Sequence, residues 1–373
     1  MKKNQTEQEE QLIREILDER WAWLSNRIDI VLRCYQSRDK LPSYHRNLLI
    51  KTTCEKAELH NYQEMKGLLE TLCLNYPQDA HMVSLGQSKG YGDDSNALDI
   101  LSLQIPAKAK PKHTVFFVSG HHYCETSGPE TVYEIAKRIL ESDSDNNQYI
   151  KAIRELTTFI FIPQVDVDAY NNLEIALRTT EIKFGEQAYS RFLNPVIDPE
   201  ILEINQTAIR YFDNAYFKDE IENKDENIQY SDDYVRLFYM PPSMVVSKAI
   251  SDIRYGKPFL ACDFHEQRIP KELEKEFVNI DFIILSERDT PLPRYVYEEV
   301  AKDYPVSLEH SLNPQRIPEE GGKTTFSEFL ANLGASSYAF EPPGNISPFN
   351  LAERIEMNLI ATDRILSKHY LGI

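Results

Sequence analysis

The feature that most constrains this chain is an apolar run that ends in a glycine and is followed by a helical pattern. Residues 115–118 are β-branched and aromatic, which predicts a buried strand. Gly120 allows a sharp turn, and the apolar spacing over 128–140 predicts a helix. Another apolar run, 159–163, predicts the next strand. This alternation predicts an α/β fold with helices on the faces of a sheet.

Two candidate metal ligands, His122 and Glu125, lie three residues apart just after the first of these strands. An imidazole and a carboxylate placed in this way can converge on one ion, and zinc accepts that ligand set. The spacing alone is weak evidence, because short motifs also occur by chance. The alternative is that His122 is an ordinary turn residue and that Glu125 meets the positive end of the helix dipole.

Two further strand ends carry residues of the same chemistry. The predicted strand 259–263 lies just before His265, and the predicted strand 337–340 is followed directly by Glu341. In open α/β sheets, sites form outside the carboxyl ends of the strands. We therefore expect His265 to join the first two candidates at one sheet edge. Glu341 would lie at the same edge, where a carboxylate can act as general base and later as general acid.

Charge and composition exclude several classes of partner. The 373-residue chain has a formal net charge of −18, which repels phosphate backbones and anionic lipids, so we expect no nucleic acid and no membrane as partners. No apolar run reaches the roughly 20 residues that span a bilayer, and no apolar segment follows the first lysines as in a secretory signal. The five cysteines form no CxxC pair, which indicates a reduced, cytoplasmic protein.

The first 60 residues carry no evident chemistry. Apolar residues recur at roughly helical spacing over 6–37, and a second helical pattern runs from about residue 43 to 59. We predict a helical N-terminal extension over 1–60, which packs against the rest of the protein or makes it oligomerise. Residues 61–373 are predicted to form the α/β domain.

From about residue 62 to the C-terminus, the chain resembles the zinc carboxypeptidases of the carboxypeptidase A and B type. Several short segments match that family, and they occur in the family's order. They are Tyr76-Pro77 with Leu85-Gly86-Gln87-Ser88, Gly120-His121-His122-Tyr123-Cys124-Glu125, Val165-Asp166-Val167-Asp168-Ala169-Tyr170, Cys262-Asp263-Phe264-His265, and Gly321-Gly322-Lys323 with Leu333-Gly334 and Ser337-Tyr338-Ala339-Phe340-Glu341. Ordered matches are far more specific than any one motif alone.

The resemblance implies a carboxypeptidase-like fold, with a mixed, mostly parallel central sheet flanked by helices. It also implies one zinc ion per chain, held by His122, Glu125 and His265. Zinc lowers the pKa of its bound water to about 7 and polarises the scissile carbonyl. Glu341 would take the proton of the water and pass it to the leaving amine.

The substrate pocket departs from the family's pattern. The digestive enzymes have an Arg where this chain has Cys124, and they use an Asn-Arg pair to clamp the substrate's terminal carboxylate. Here Asn214 could match the Asn, but Ala215 stands in place of the Arg. Arg178 lies on a segment that supplies active-site arginines in the family. It could polarise the carbonyl or bind an acidic group, or it could be an ordinary surface residue.

These observations predict a zinc-dependent hydrolase of peptide or amide bonds that acts on a non-standard peptide or an acylamino acid. Two alternatives stay open. One is a catalytically inactive relative that binds a peptide or a partner protein, which the missing arginines favour. The other is an α/β protein without a metal.

Overall fold

A computed structural model describes residues 49–88, 97–121, 125–144, 147–171, 246, 249–250, 256–266, 282–286, 291–304, 306, 330–331, 333–344 and 349–372. The strands are β1 (His81–Gln87), β2 (Asp99–Ile105), β3 (His113–Ser119), β4 (Thr157–Ile162), β5 (Lys257–Phe264), β6 (Ile283–Ser286) and β7 (Ser336–Glu341). The helices are α1 (Tyr62–Asn75), α2 (Ser127–Ser144), α3 (Gln148–Leu156), α4 (Val167–Asn171), α5 (Leu292–Ala301) and α6 (Leu351–Leu371).

The described strands form one mixed sheet in the order β1-β2-β4-β3-β5-β7-β6. The four central strands, β4, β3, β5 and β7, pair in parallel with one another in that order. The strand pairs at the two sides of the sheet are antiparallel. Helices flank this sheet, so the predicted α/β fold with a mixed sheet is confirmed. The parallel centre matters for function, because it brings the carboxyl ends of β3, β5 and β7 to the same edge.

Stacked aromatic side chains hold the four central strands together. The ring of Phe117 on β3 lies 5.1 Å from that of Phe161 on β4 and 6.5 Å from that of Phe264 on β5. The ring of Phe340 on β7 continues the row, 5.4 Å from Phe264. All four side chains are fully buried. Backbone hydrogen bonds set the spacing of the strands, and these aromatic side chains pack one face of the central strands into the core.

Side-chain capping sets the ends of the two helices that bracket the described fold. Asn61 and Asn350 each accept a hydrogen bond from the backbone three residues on, in capping boxes that open α1 and α6. Helix α1 ends at Asn75, and Pro77 two residues later cannot continue it. Helix α6 ends at Gly372, whose left-handed backbone (φ of 72°) favours glycine.

Residues 51–60 contain no helix, so that part of the predicted second N-terminal helix is wrong. The segment instead follows the surface of α2 and α6. Asp363 of α6 accepts the backbone N–H groups of Leu49 and Ile50 at 2.7 and 2.9 Å, and Arg138 of α2 donates to the carbonyls of Lys51 and Thr53. These contacts satisfy an extended backbone and override the helical spacing of its apolar residues. The rest of the predicted extension, 1–48, lies outside the described residues.

The turn after β3 has no room for a side chain at Gly120. Its backbone is left-handed, with φ of 74°, and a Cβ there would lie 2.7 Å from both the Cα of Gln164 and the carbonyl oxygen of Pro163. We predict that Gly120→Ala lowers the free energy of unfolding by more than about 1 kcal/mol, as strained substitutions at such positions do.

Urea unfolding measures this effect, and Gly67→Ala is the matched control. Gly67 is exposed inside α1 with open space around its Cβ position, so alanine there should raise stability by about 0.5–1 kcal/mol. Equal stability of Gly120→Ala and the wild type would contradict the turn geometry.

The segment before α1 is tied to α2 by His60 and Glu130. Their side chains meet at 2.8 Å from Nδ1 to Oε2, and the backbone N–H of His60 also donates to Glu130. The hydrogen bond to Glu130 raises the pKa of His60 above its ordinary value, although burial acts in the opposite direction. Burial also raises the pKa of Glu130, because His60 offsets only part of the loss of hydration of the carboxylate.

A raised pKa in the folded state predicts the sign of a pH effect. The stability contributed by protonated His60 is fully present below its unfolded pKa of about 6.5 and is lost as the pH rises through the higher folded value. We expect the urea midpoint of the wild type to fall between about pH 6 and 8 more than that of His60→Gln. Parallel pH profiles for the two proteins would contradict this expectation.

Candidate metal centre

The carboxyl ends of three neighbouring parallel strands, β3, β5 and β7, build one edge of the sheet. The register pairs Phe264 with Phe340, and the backbone N–H of His265 donates to the carbonyl of Phe340 at 2.8 Å. His265 therefore leaves β5 directly beside the end of β7, where Glu341 is the last strand residue. Two of the predicted site residues thus lie on adjacent strands at the same edge.

His265 lies between two carboxylates. Its Nδ1 is 2.8 Å from Oε2 of Glu125, and its Nε2 is 3.1 Å from Oδ2 of Asp263. The carboxylates of Glu125 and Asp263 are almost completely buried, whereas the side chain of His265 is 19% exposed. The imidazole is therefore fixed in orientation but stays reachable from solvent.

His121 completes the cluster from the β3 side. Its ring stacks on that of His265 with centroids 5.5 Å apart, and its Nε2 lies 3.4 Å from Oδ1 of Asp263. One donor atom from each of His121, Asp263 and His265 can be chosen so that all lie within 4.8 Å of one another. Imidazole nitrogen and carboxylate oxygen are both zinc ligands.

The electrostatics of the cluster fit a bound cation. Burial lowers the pKa of His265, but Asp263 and Glu125 outweigh that effect and raise the pKa well above its ordinary value. Burial raises the pKa of Asp263, and the two histidines outweigh it and hold that pKa below its usual range. Two buried carboxylates therefore favour positive charge at His265, and a zinc ion would supply such charge at the same place.

The structure brings Glu125, His265 and Glu341 to one sheet edge, as their positions in the sequence predict. The other predicted site residues, His122, Arg178 and Asn214, lie outside the described residues. The role of His122 as a metal ligand stays a prediction. The roles of Asn214 and Arg178 in substrate binding, and of Arg178 in catalysis, also stay predictions.

Asp263 and His121 are site residues that the sequence analysis missed. Asp263 lies two residues before His265, and alternate residues of a strand face the same side of the sheet, so this spacing was a usable signal. His121 directly precedes the predicted ligand His122 and carries the same side chain. The spacing to Gly120 and Glu125 in the Gly-x-His-x-x-Glu pattern selects His122, so the sequence did not point to His121.

Comparisons with known proteins agree with this architecture. The family model for zinc carboxypeptidases matches residues 65–180. The fold is similar to that of a metallo-carboxypeptidase from Burkholderia cenocepacia, with a TM-score of 0.50 and 14% identity over 83% of this chain and 70% of the other. Bovine thrombin-activatable fibrinolysis inhibitor aligns with a TM-score of 0.49 and 13% identity over 85% of this chain and 99% of the other. No curated protein matches the sequence.

None of the helices within the described residues has the length and hydropathy needed to cross a membrane. The family match covers three of the segments on which the resemblance depends, namely the Tyr-Pro and Leu-Gly segment at 76–88, the Gly-x-His-x-x-Glu turn and the segment after β4. The structural match extends the likeness over most of the chain. The predicted resemblance is thereby confirmed: residues 65–180 match the family model for zinc carboxypeptidases, and the fold is similar to that of a metallo-carboxypeptidase.

Proposed function

We propose that this protein is a zinc-dependent hydrolase of peptide or amide bonds. The observation that carries the proposal is the meeting of Glu125 and His265, 2.8 Å apart, beside the strand end that bears Glu341. A candidate nitrogen ligand, a candidate oxygen ligand and a candidate base thus lie at one edge of a metallocarboxypeptidase-like sheet. The family match over residues 65–180 supports the same function.

Glu125 and His265 would hold one zinc ion, with His122 as the predicted third ligand. Asp263 at Nε2 of His265 orients the ring and leaves Nδ1 on the side of Glu125. A carboxylate that accepts from the outer nitrogen of a histidine ligand also raises the basicity of that ligand. When bound, zinc acidifies a water molecule and polarises the scissile carbonyl.

Glu341 is the proposed general base. It would take a proton from the attacking water and later give it to the leaving amine. Its place at the end of β7 supports this role, because Ala339, two residues earlier on the same strand, is the register partner of Asp263. Side chains alternate along a strand, so Glu341 shares a face with Ala339 and lies on the Asp263 side of the sheet.

The proposed substrate is a non-standard peptide or an acylamino acid. Ala215 stands where the digestive enzymes have the arginine that binds a C-terminal carboxylate, so ordinary C-terminal residues would bind weakly. Asn214 and Arg178 are the proposed substrate-binding residues. Arg178 would also polarise the carbonyl.

The proposed setting is the cytoplasm, without nucleic acid or membrane as partners, and with oligomerisation through the N-terminal helices.

A panel of peptides and acylamino acids tests this function. We expect hydrolysis of at least one amide, loss of the activity on chelation, and recovery on addition of zinc. Rapid release of C-terminal residues from ordinary peptides would contradict the proposed substrate class. Zinc binding without hydrolysis of any amide would favour the inactive, peptide-binding alternative.

A further inference from the structure

Glu266 is a buried carboxylate that follows His265 directly. Its Oε1 accepts the backbone N–H of Ser127 at 2.7 Å. Ser127 begins helix α2 only two residues after Glu125, so one side chain joins the segments that carry the two described ligands. A carboxylate at the first residue of a helix is also stabilised by the positive end of the helix dipole.

Arg354 of helix α6 completes this contact. Its Nη1 lies 3.0 Å from Oε2 of Glu266, and its Nη2 donates to the hydroxyl of Thr126 at 3.4 Å. That hydroxyl is also 3.5 Å from Oε1 of Glu266. We call Glu266, Thr126, Ser127 and Arg354 the Glu266 bridge. It connects the residues immediately after both ligands to one arginine of a long helix.

The start of α2 packs directly on the two strand ends. A Cβ at Gly128 would lie 1.9 Å from Oγ of Ser119 and 2.8 Å from the carbonyl oxygen of Phe264. That carbonyl also accepts a hydrogen bond from the Ser119 hydroxyl at 2.8 Å. These contacts fix the strands up to Phe264 but do not reach the chain beyond it. Among the described residues that directly follow Phe264, Glu266 ties the β5 segment to α2.

The Glu266 bridge is a costly way to obtain stability alone. Glu266 is 4% exposed and Arg354 is 9% exposed, so both charges lose most of their hydration. Apolar side chains of similar volume often replace a buried ion pair with no loss of stability. An ion pair with directed hydrogen bonds does fix the relative position of the segments that it joins. Here those segments carry Glu125 and His265, which must bind one metal ion.

We propose that Glu266 is a positioning residue for the metal centre and sets the separation of Glu125 and His265 through the Glu266 bridge. This inference rests on the proposed function, because it assigns the reason for the bridge to zinc binding. It predicts that breaking the bridge weakens zinc binding beyond what the loss of stability explains. Residues that support metal ligands from outside typically change metal affinity 10- to 100-fold when substituted.

The test is calorimetric titration of zinc into chelator-stripped protein, with the wild type, Glu266→Gln and Asp143→Asn compared. Asp143 of α2 is the matched control, since it is a buried carboxylate that accepts a hydrogen bond from an arginine, Arg154 of α3, at 2.7 Å. We expect about 10-fold weaker zinc binding for Glu266→Gln and unchanged binding for Asp143→Asn. Thermal unfolding of the stripped proteins measures how much stability each variant loses.

A second, more conservative substitution tests the proposal if Glu266→Gln does not fold. Arg354→Lys keeps a positive charge for Glu266 but loses the planar group that also reaches Thr126, and it should weaken zinc binding by a few-fold. Wild-type zinc affinity in Glu266→Gln, or in Arg354→Lys if the former does not fold, would overturn the proposal while the function stands. A wild type that binds no zinc would instead overturn the proposed function, and this inference with it.

Discussion

Glu341→Gln should reduce kcat about a thousandfold on any substrate that the wild type hydrolyses. Glutamine keeps the size of the side chain but cannot take a proton from the attacking water, and general acid–base catalysis contributes roughly 10²- to 10⁴-fold. The variant should bind zinc and unfold in urea as the wild type does, because residue 341 is not one of the proposed ligands. A loss of kcat with zinc retained separates the base from the metal site.

Steady-state kinetics with zinc-loaded protein measures this effect. Glu298→Gln is the control, since Glu298 is an exposed residue of α5 that pairs only weakly at the surface with Arg294. It should keep the wild-type rate. Wild-type kcat in Glu341→Gln would show that another group takes the proton, and Glu341 would then lose its assigned role.

His265→Ala should remove nearly all bound zinc. The substitution deletes a proposed ligand and leaves the buried carboxylates of Glu125 and Asp263 without the imidazole that joins them. We expect about one zinc per chain in the wild type and little in the variant. The zinc affinity of the variant should be lower by more than about 100-fold, because even the loss of a residue that only supports a metal ligand lowers metal affinity 10- to 100-fold.

Metal analysis of protein purified without chelator measures the zinc content. His113→Ala is the matched control, because His113 begins β3 at the opposite end of the sheet and packs on Phe259. It should retain full zinc. Equal zinc in His265→Ala and the wild type would place the ion elsewhere in the protein.

The strands were predictable because each one is buried and its own apolar residues indicate that burial. The apolar runs at 115–118 and 259–262 lie within β3 and β5, and the run at 159–163 extends one residue beyond β4. Residues 51–59 were not predictable in this way. The backbone of residues 49–54 is fixed by contacts to Arg138, Asp363 and Glu356, which are distant in sequence, so local spacing gave the wrong structure.

In the candidate site, too, local sequence predicted some features, while contacts between residues distant in sequence could not be predicted. The strand ends were enough to predict that His265 and Glu341 share an edge with Glu125. Asp263 could have been found from its alternation with His265. The Glu266 bridge could not, because a glutamate that follows a histidine gives no sign that Ser127 and Arg354, far along the chain, will bind it.

The most direct test is anomalous diffraction at the zinc edge from crystals of the wild type grown with zinc. We expect one strong peak per chain, about 2.0–2.2 Å from a carboxylate oxygen of Glu125 and from Nδ1 of His265. The same map would show whether His122 or His121 provides the other imidazole. A peak away from Glu125 and His265, or no peak at this sheet edge, would contradict the proposed zinc hydrolase.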